Sequence, residues 1–277
     1  MKILVIGDFH GKFPSKLKKY AKEVDVILAD GDFGGSDKLL KVIFKYFYGD
    51  WVEEVGEKKA RKMVLEDYKS GKKIINELGK LKVPIYSIHG NWDFEGYRRV
   101  RRYGPLRLKN YSKLMKKKKN MTFLKRKIIS LNGLKLYAFG GYMTPIVYTR
   151  KEGGFDKKKR EKYRKRIRKE KKAVFKKGQK GIDIFLAHYT PYGYFDKVKY
   201  KGKNPMNGKH VGIKAYTDFI KKYQPRVFVC GHMHEYQGKK MLGNTLIVAT
   251  GPAYEGKAAI VDVPEDKKKR AKVKFIR

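Results

Sequence analysis

Apolar residues in this chain gather in short runs, and several of these runs end at glycine, an acid or a histidine. Ile3–Ile6 leads into Gly7-Asp8-Phe9-His10-Gly11, and Val26–Ala29 leads into Asp30-Gly31-Asp32. Short β-rich runs bounded by turn residues predict strands, and the stretch between these two, Ser15–Glu23, predicts a helix. Leu39, Leu40, Ile43 and Phe47 then repeat at helical spacing, and Met63, Ile74, Ile75 and Leu78 give a looser repeat, so two helices are predicted within 36–80. Pro84–Ile88 predicts a strand that ends at His89-Gly90-Asn91.

The second half has the same rhythm. Ile128–Ser130 and Leu134–Gly140 predict two strands joined by Asn132-Gly133, a strong hairpin signal. Residues 157–177 predict a lysine- and arginine-dense helix whose apolar stripe is thin: Tyr163, Ile167, Val174 and Phe175. Ile182–Ala187 predicts a strand into His188, Val211–Tyr223 a helix, and Val227–Cys230 a strand into Gly231-His232-Met233-His234. Thr245–Ala249 and Ala258–Val263 predict closing strands, and the basic tail 267–277 one more. Strands alternating with helices make a layered α/β protein. With no internal repeat and no dividing linker, residues 1–277 are expected to form one domain with basic insertions at about 96–127 and 150–178.

Composition adds one unusual quantity. The 41% hydrophobic content of 277 residues supplies a sizeable core, but 69 Lys+Arg stand against 27 Asp+Glu, a formal net charge of +42. Thermophilic enrichment in lysine normally brings glutamate with it, and here acid is scarce. Such a field attracts polyanions by steering and counterion release. Residues 96–151 contain no Asp or Glu, 98–127 hold fourteen Lys/Arg, and 150–177 hold sixteen against Glu152, Asp156, Glu161 and Glu170. The expected partner is therefore nucleic acid, either RNA (as in a ribosomal particle) or DNA, bound through phosphate contacts. Tyr103, Tyr111, Tyr142, Tyr148, Tyr163, Tyr192 and Tyr194 lie among or near these charges as candidates for base stacking. No RNA- or DNA-binding motif is present, so binding is expected to be sequence-tolerant and salt-sensitive. The single cysteine, Cys230, excludes an intrachain disulfide and sits inside a strand-like run. The N-terminal apolar run is too short for a signal peptide, and no window approaches the roughly 18–20 apolar residues of a membrane span. A soluble, cytoplasmic protein without a membrane partner is expected.

Four of the six histidines fall in an ordered set of blocks: Asp8-x-His10, Gly31-Asp32, Gly90-Asn91-Trp92-Asp93, Ala187-His188 and Gly231-His232-Met233-His234. Each follows a predicted strand, which places the side chains at strand ends and in the loops beyond. Taken singly, Asp8 reads as a helix cap, Gly31-Asp32 as a turn and His188 as a loop histidine; their joint order sets them apart. Phosphate-ester hydrolysis needs a nucleophile at neutral pH and neutralisation of phosphoryl charge, and two divalent ions about 3.5–4 Å apart supply both. Such a pair takes a shared carboxylate with imidazole and amide donors around it.

These blocks resemble the calcineurin-like metallophosphoesterases, whose pattern is D-x-H, G-D, G-N-H-[DE], a strand-end histidine and G-H-x-H. The resemblance spans residues 8–234 and implies a four-layer α/β/β/α sandwich of two mixed sheets. It implies two divalent ions of Mn, Fe, Zn or Ni. Asp8, His10 and His234 would hold the first, Asn91, His188 and His232 the second, and Asp32 would bridge them. Asp32, Asn91 and His188 are also the implied catalytic residues, with Asp93 orienting a neighbour. The stretch His188–Gly193, then Lys209-His210-Val211-Gly212 and Gln224-Pro225, is similar to a prokaryotic branch of the superfamily whose distant relatives include small animal phosphodiesterases.

Trp92 departs from the pattern, because the resemblance implies a histidine there that donates a proton or stabilises phosphoryl charge. Tryptophan has one N–H donor and no usable acid. Three readings are open: an enzyme that works without that acid, an enzyme in which His210 or His89 replaces it, or a site kept as structure on a binding protein. The leading expectation is a dinuclear-metal phosphodiesterase or nuclease acting on nucleic acid. The alternatives are an RNA- or ribosome-associated binding protein with a vestigial site, and a small-molecule or protein phosphatase.

Overall fold

A computed structural model describes every residue except 94–99, 102–103, 105 and 177–179. Arg98, Arg99, Arg102, Lys177 and the stacking candidate Tyr103 lie outside the described residues.

Two six-stranded sheets form the centre. The first runs β12 (Lys272–Ile276), β11 (Ala258–Asp262), β1 (Lys2–Ile6), β2 (Val26–Ala29), β3 (Ile85–Ser87), β4 (Met121–Phe123). The second runs β5 (Arg126–Leu131), β6 (Leu134–Phe139), β7 (Ile184–Ala187), β8 (Val227–Cys230), β10 (Thr245–Ala249), β9 (Gly238–Leu242). β1 through β4 pair in parallel, as do β6, β7, β8 and β10, while β11, β12, β5 and β9 pair antiparallel at the flanks. Parallel neighbours end on the same side, so the loops after β1, β2 and β3 emerge together, as do those after β7 and β8.

Side chains alternate across a strand, and these strands bury both faces, which is why they read as unbroken apolar runs. Ile3 and Val5 of β1 and Val26 and Leu28 of β2 meet Leu136, Leu186 and Val229 of the second sheet in the core between the sheets. Leu4, Ile6 and Ile27 face the other way, onto Leu17 of α1 (Ser15–Lys19) and Ile74, Ile75 and Leu78 of α4 (Glu57–Leu78). On the far side, Phe185, Phe228 and Ile247 pack on Tyr216, Phe219 and Ile220 of α7 (Lys214–Tyr223), with Val174 of α6 (Lys157–Lys176). The layers are helix, sheet, sheet, helix. Asn132 (φ 46°) and Gly133 (φ 80°) make the β5–β6 hairpin turn at positive φ.

Residues 36–80 hold three helices where two were expected: α2 (Asp37–Lys45), α3 (Trp51–Val55) and α4. Asp50 accepts from Val52 N–H to start α3, and Gly56, at φ 81°, breaks it from α4. The short α5 (Tyr111–Met115), β4 and β9 carried no expectation. β4 has three residues, and β9 presents Lys239 and Lys240 at a sheet edge, so neither shows a strand's apolar pattern. Tyr111 is buried and stacked on Tyr68, which corrects its reading as a base-stacking residue. No helix among the described residues is long and apolar enough to cross a membrane.

Candidate metal centre

The loops after β1, β2, β3, β7 and β8 carry Asp8 and His10, Asp32, Asn91, His188, and His232 and His234 respectively. Backbone bonds lock the first two together: Asp8 N–H donates to Gly31 O (3.0 Å), and the N–H groups of Phe9 and His10 both donate to Asp32 O (2.9 and 3.1 Å). Asp8, His10, Asp32 and His232 have positive φ (51°, 41°, 54° and 67°), four of the eight such non-glycine residues among those described. Left-handed backbone at residues with a Cβ is strained, persists only where the surroundings over-determine it, and gathers at functional sites.

One donor atom each from Asp8, His10 and His234 lie within 4.8 Å of one another, and so do those of Asp32, His188 and His232. In the first cluster the Nε2 atoms of His10 and His234 are 3.1 Å apart, and Asp8 Oδ1 is 3.5 Å from His234 Nε2. Asp8 Oδ2 is engaged separately, accepting from His232 N–H at 2.8 Å. Asp32 stands between the clusters: its Oδ2 is 3.3 Å from His188 Nε2 and 3.9 Å from His10 Nε2. Asn91 Oδ1 meets His188 Nε2 at 2.8 Å. On the other side of the His188 ring, Nδ1 lies 3.0 Å from the backbone carbonyl of Asp30. A carbonyl only accepts, so Nδ1 carries the proton and Nε2 is turned toward Asp32 and Asn91. The sequence brings all seven candidate ligands into one place.

The pocket draws positive charge. Burial opposes ionisation of His188, yet Asp32, Asp8 and Asp30 push it up to about 10. Burial likewise disfavours the Asp8 carboxylate, but the hydrogen bond and charge of His234, with His188 and His10, hold it below the usual range. Burial, then His234, lowers His10, and burial with His188 lowers His232. Asp30 is pushed well up, first by burial and then by the charge of Asp8. Asp30 Oδ1 is buried with no hydrogen-bond partner, and buried Asp8 Oδ1 has only the long 3.5 Å contact to His234 Nε2. A buried, under-satisfied carboxylate oxygen is unfavourable unless a cation or proton takes it up. Carboxylate, imidazole and amide oxygen form the donor set that Mn, Fe, Zn and Ni accept. The residues present fit two divalent cations.

The loop after β3 is held from below. Asp93 accepts from Asp32 N–H (3.1 Å), Phe33 N–H (2.9 Å) and Gly90 N–H (2.8 Å). Trp92 N–H donates to Asp32 Oδ1 at 2.8 Å, while its indole N–H reaches Asp67 Oδ2 at 3.0 Å. A Cβ on Gly90 would fall on Asp32 Oδ1, so the glycine permits this close approach.

His89 lies beside Asp93 at 3.6 Å and against the Phe123 ring. His210 belongs to neither cluster. It pairs through Nδ1 with the buried Asp196 at 2.7 Å on the loop that follows β7. Three neighbours of the site went unforeseen. In the sequence Asp30 reads only as part of a turn, Asp67 sits mid-helix in α4, and Tyr254 places its hydroxyl 3.5 Å from His234 Nδ1. The apolar run before Asp30 was the one signal that could have flagged it.

Five strand-end loops of an α/β/β/α sandwich, joined around paired clusters of metal-type donors, define the class. The chain belongs to the calcineurin-like phosphoesterase family, whose sequence profile matches residues 1–236. It is 24% identical over 255 residues to an uncharacterized protein of Methanocaldococcus jannaschii, covering 91% of this chain and 88% of that one. A dimetal phosphatase from Danio rerio has a similar fold, with a TM-score of 0.55 at 11% identity over 100% of this chain and 96% of that one. Another solved crystal structure is similar with a TM-score of 0.65 at 20% identity, over 100% and 99% of the two chains.

Proposed function

We propose that this protein is a metal-dependent phosphodiesterase that acts on nucleic acid. The observation that carries the reading is Asp32, whose carboxylate stands between two clusters of metal-type donors. Asp8, His10 and His234 would hold one divalent ion, Asn91, His188 and His232 the other, and Asp32 both. When bound, such a pair lowers the pKa of water and neutralises charge on the phosphoryl oxygens.

The chain's own residues do the positioning. Asp30 O fixes the His188 ring, Asp93 gathers three backbone N–H groups under Asp32, and Trp92 N–H orients Asp32 Oδ1. These contacts pre-set the donors so that little reorganisation accompanies binding. Trp92 has no acid to give the leaving group, so the sugar alkoxide expelled from a nucleic acid would have to be stabilised by a bound cation or take its proton from water. An aryl diester, with its stable leaving anion, should turn over most readily. With Mn²⁺, the protein should hydrolyse an aryl phosphodiester faster than the matching monoester, and Asp32→Ala or Asn91→Ala should abolish this. Equal inertness of wild type and variants across Mn²⁺, Ni²⁺, Zn²⁺ and Fe²⁺ would overturn the enzymatic reading, and preference for the monoester would point to a phosphatase.

Trp92 also supports a second reading, an RNA- or ribosome-associated protein with a weak site. Its indole is tied to Asp67 and packs on the cluster of Leu39, Trp51 and Val52. That reading expects co-sedimentation with ribosomal particles that fades as salt rises. A protein free in solution at low salt would refute it.

A further inference from the structure

Helix α6 carries an unbroken row of lysines along its solvent face. Lys158, Lys162, Lys165, Lys169, Lys172 and Lys176 recur at intervals of three and four residues, and all six are exposed. At about 100° per residue they fall in one row. The opposite side attaches to the protein: Val174 is buried, Tyr163 and Ile167 are half-buried, and Val174 O accepts from Tyr137 Oη. Among the described residues, the ion pairs of α6 belong to Arg164, Arg166 and Lys171, off the row. Neighbouring like charges at these spacings destabilise a helix, so nothing within the fold is gained by placing them together. A row of unneutralised charge is suited to an external polyanion.

The helix is also joined to the metal centre. Arg166 donates to Glu170, which accepts both the N–H and the hydroxyl of Thr144, so α6 is fastened to the loop after β6. The Arg166 guanidinium lies 4.4 Å from the Tyr142 ring centre. Tyr142 meets Tyr189 at 6.2 Å, and Tyr189 meets His232 of the second cluster at 4.1 Å.

We propose that the lysine row of α6 is a docking track for the sugar–phosphate backbone of a nucleic acid, on a helix joined to the cluster of Asp32, His188 and His232 through Arg166, Tyr142 and Tyr189. The proposal rests on the nucleic-acid reading above and says which surface performs it. From Lys158 to Lys172 the row is about 21 Å long at 1.5 Å per residue, with a charge roughly every 5 Å. This suits a stiff polyanion whose charges repeat every few ångströms. A bilayer surface fits less well, because an interfacial helix inserts an apolar face and that of α6 is already buried in the protein.

The test neutralises five positions with a good helix former: Lys158→Gln, Lys162→Gln, Lys165→Gln, Lys169→Gln and Lys172→Gln. A charge-matched control changes Lys267, Lys268, Lys269, Lys272 and Lys274 to Gln, all exposed at the far C-terminal end. Fluorescence anisotropy follows mixed-sequence RNA duplex, DNA duplex and single strands from low to moderate salt, with phosphatidylserine vesicles as a further arm. The α6 variant should bind at least tenfold more weakly. Its log–log salt slope on a duplex should shrink by about 0.9 per lost contact. Turnover of a small aryl diester should be unchanged, which shows an intact fold, and the control should lose far less affinity. Equal losses in the two variants, or unchanged binding by the α6 variant, would overturn the track while leaving nucleic-acid binding in place. A wild type that ignores all nucleic acids, or prefers the vesicles, would overturn both readings.

Discussion

The indole N–H of Trp92 donates a 3.0 Å hydrogen bond to Oδ2 of Asp67, a buried carboxylate on α4. The same residue's backbone N–H holds Asp32 Oδ1. The position where the family pattern has a histidine thus links the central carboxylate of the site to a helix. Trp92→Phe keeps most of the packing and removes the indole donor, leaving Asp67 buried without it. The expected destabilisation is about 1–3 kcal/mol, measured by urea unfolding. A change below a few tenths would show that water replaces the indole at no expense.

Asp67 itself gives a pH signature. Burial pushes its carboxyl up to about 6 from 3.8, against the opposing hydrogen bonds of Ser36 and Trp92. The folded state holds this proton more tightly than the unfolded one. The stabilising contribution is therefore complete below about pH 4 and is lost as pH rises through about 6. Asp67→Asn retains an acceptor for the indole and cannot ionise. It should be more stable than wild type by about 2 kcal/mol above pH 7 and lose the slope between about pH 4 and 6. Parallel urea curves at pH 5 and pH 8 check the sign; greater stabilisation at pH 5 would contradict it.

Metal binding should show in stability as well as turnover. A ligand that binds only the folded state at 100 times its Kd adds about 2.7 kcal/mol. Wild type should gain Tm with Mn²⁺ and lose the gain with EDTA. Asp8→Asn, which removes a charged donor from the first cluster and keeps an oxygen for the His232 N–H, should bind one ion where wild type binds two. Calorimetric titration gives the stoichiometry, and two ions bound by the variant would place Asp8 outside the ligand set.

Gly90→Ala puts a methyl group onto Asp32 Oδ1 and against Asp32 N. Overpacking of this kind costs about 1–3 kcal/mol. It should also displace the carboxylate and abolish high-affinity metal binding. Gly133→Ala is the comparison: its Cβ meets nothing within 4 Å, but its φ of 80° strains alanine. It should lower Tm and leave the metal titration unchanged.

Much of the fold was legible because β2, β8 and β10 are buried along their whole length, so Val26–Ala29, Val227–Cys230 and Thr245–Ala249 read as continuous apolar runs. β4 and β9 were not legible: one is three residues long, and the other places lysines on an edge that needs no apolar alternation. The basic segments read alike in sequence. In the structure, Tyr111 is core, Arg164 and Lys171 are tied to carboxylates, and the Lys158–Lys176 row is left to solvent. Helical phase and contact partners make that distinction, and neither is a property of composition.

The sequence by itself determined the donors, their order after successive strands, and the lack of an acid at position 92, because each is a local pattern of residue type and spacing. Only the tertiary structure decided that Asp32 lies between His10 and His188, and that Trp92 is anchored by Asp67. It also decided that Asp30 supports His188 through a backbone carbonyl. These relationships join residues far apart in the chain. They arise because parallel strands in two stacked sheets bring their loops to a common end, which no local pattern encodes.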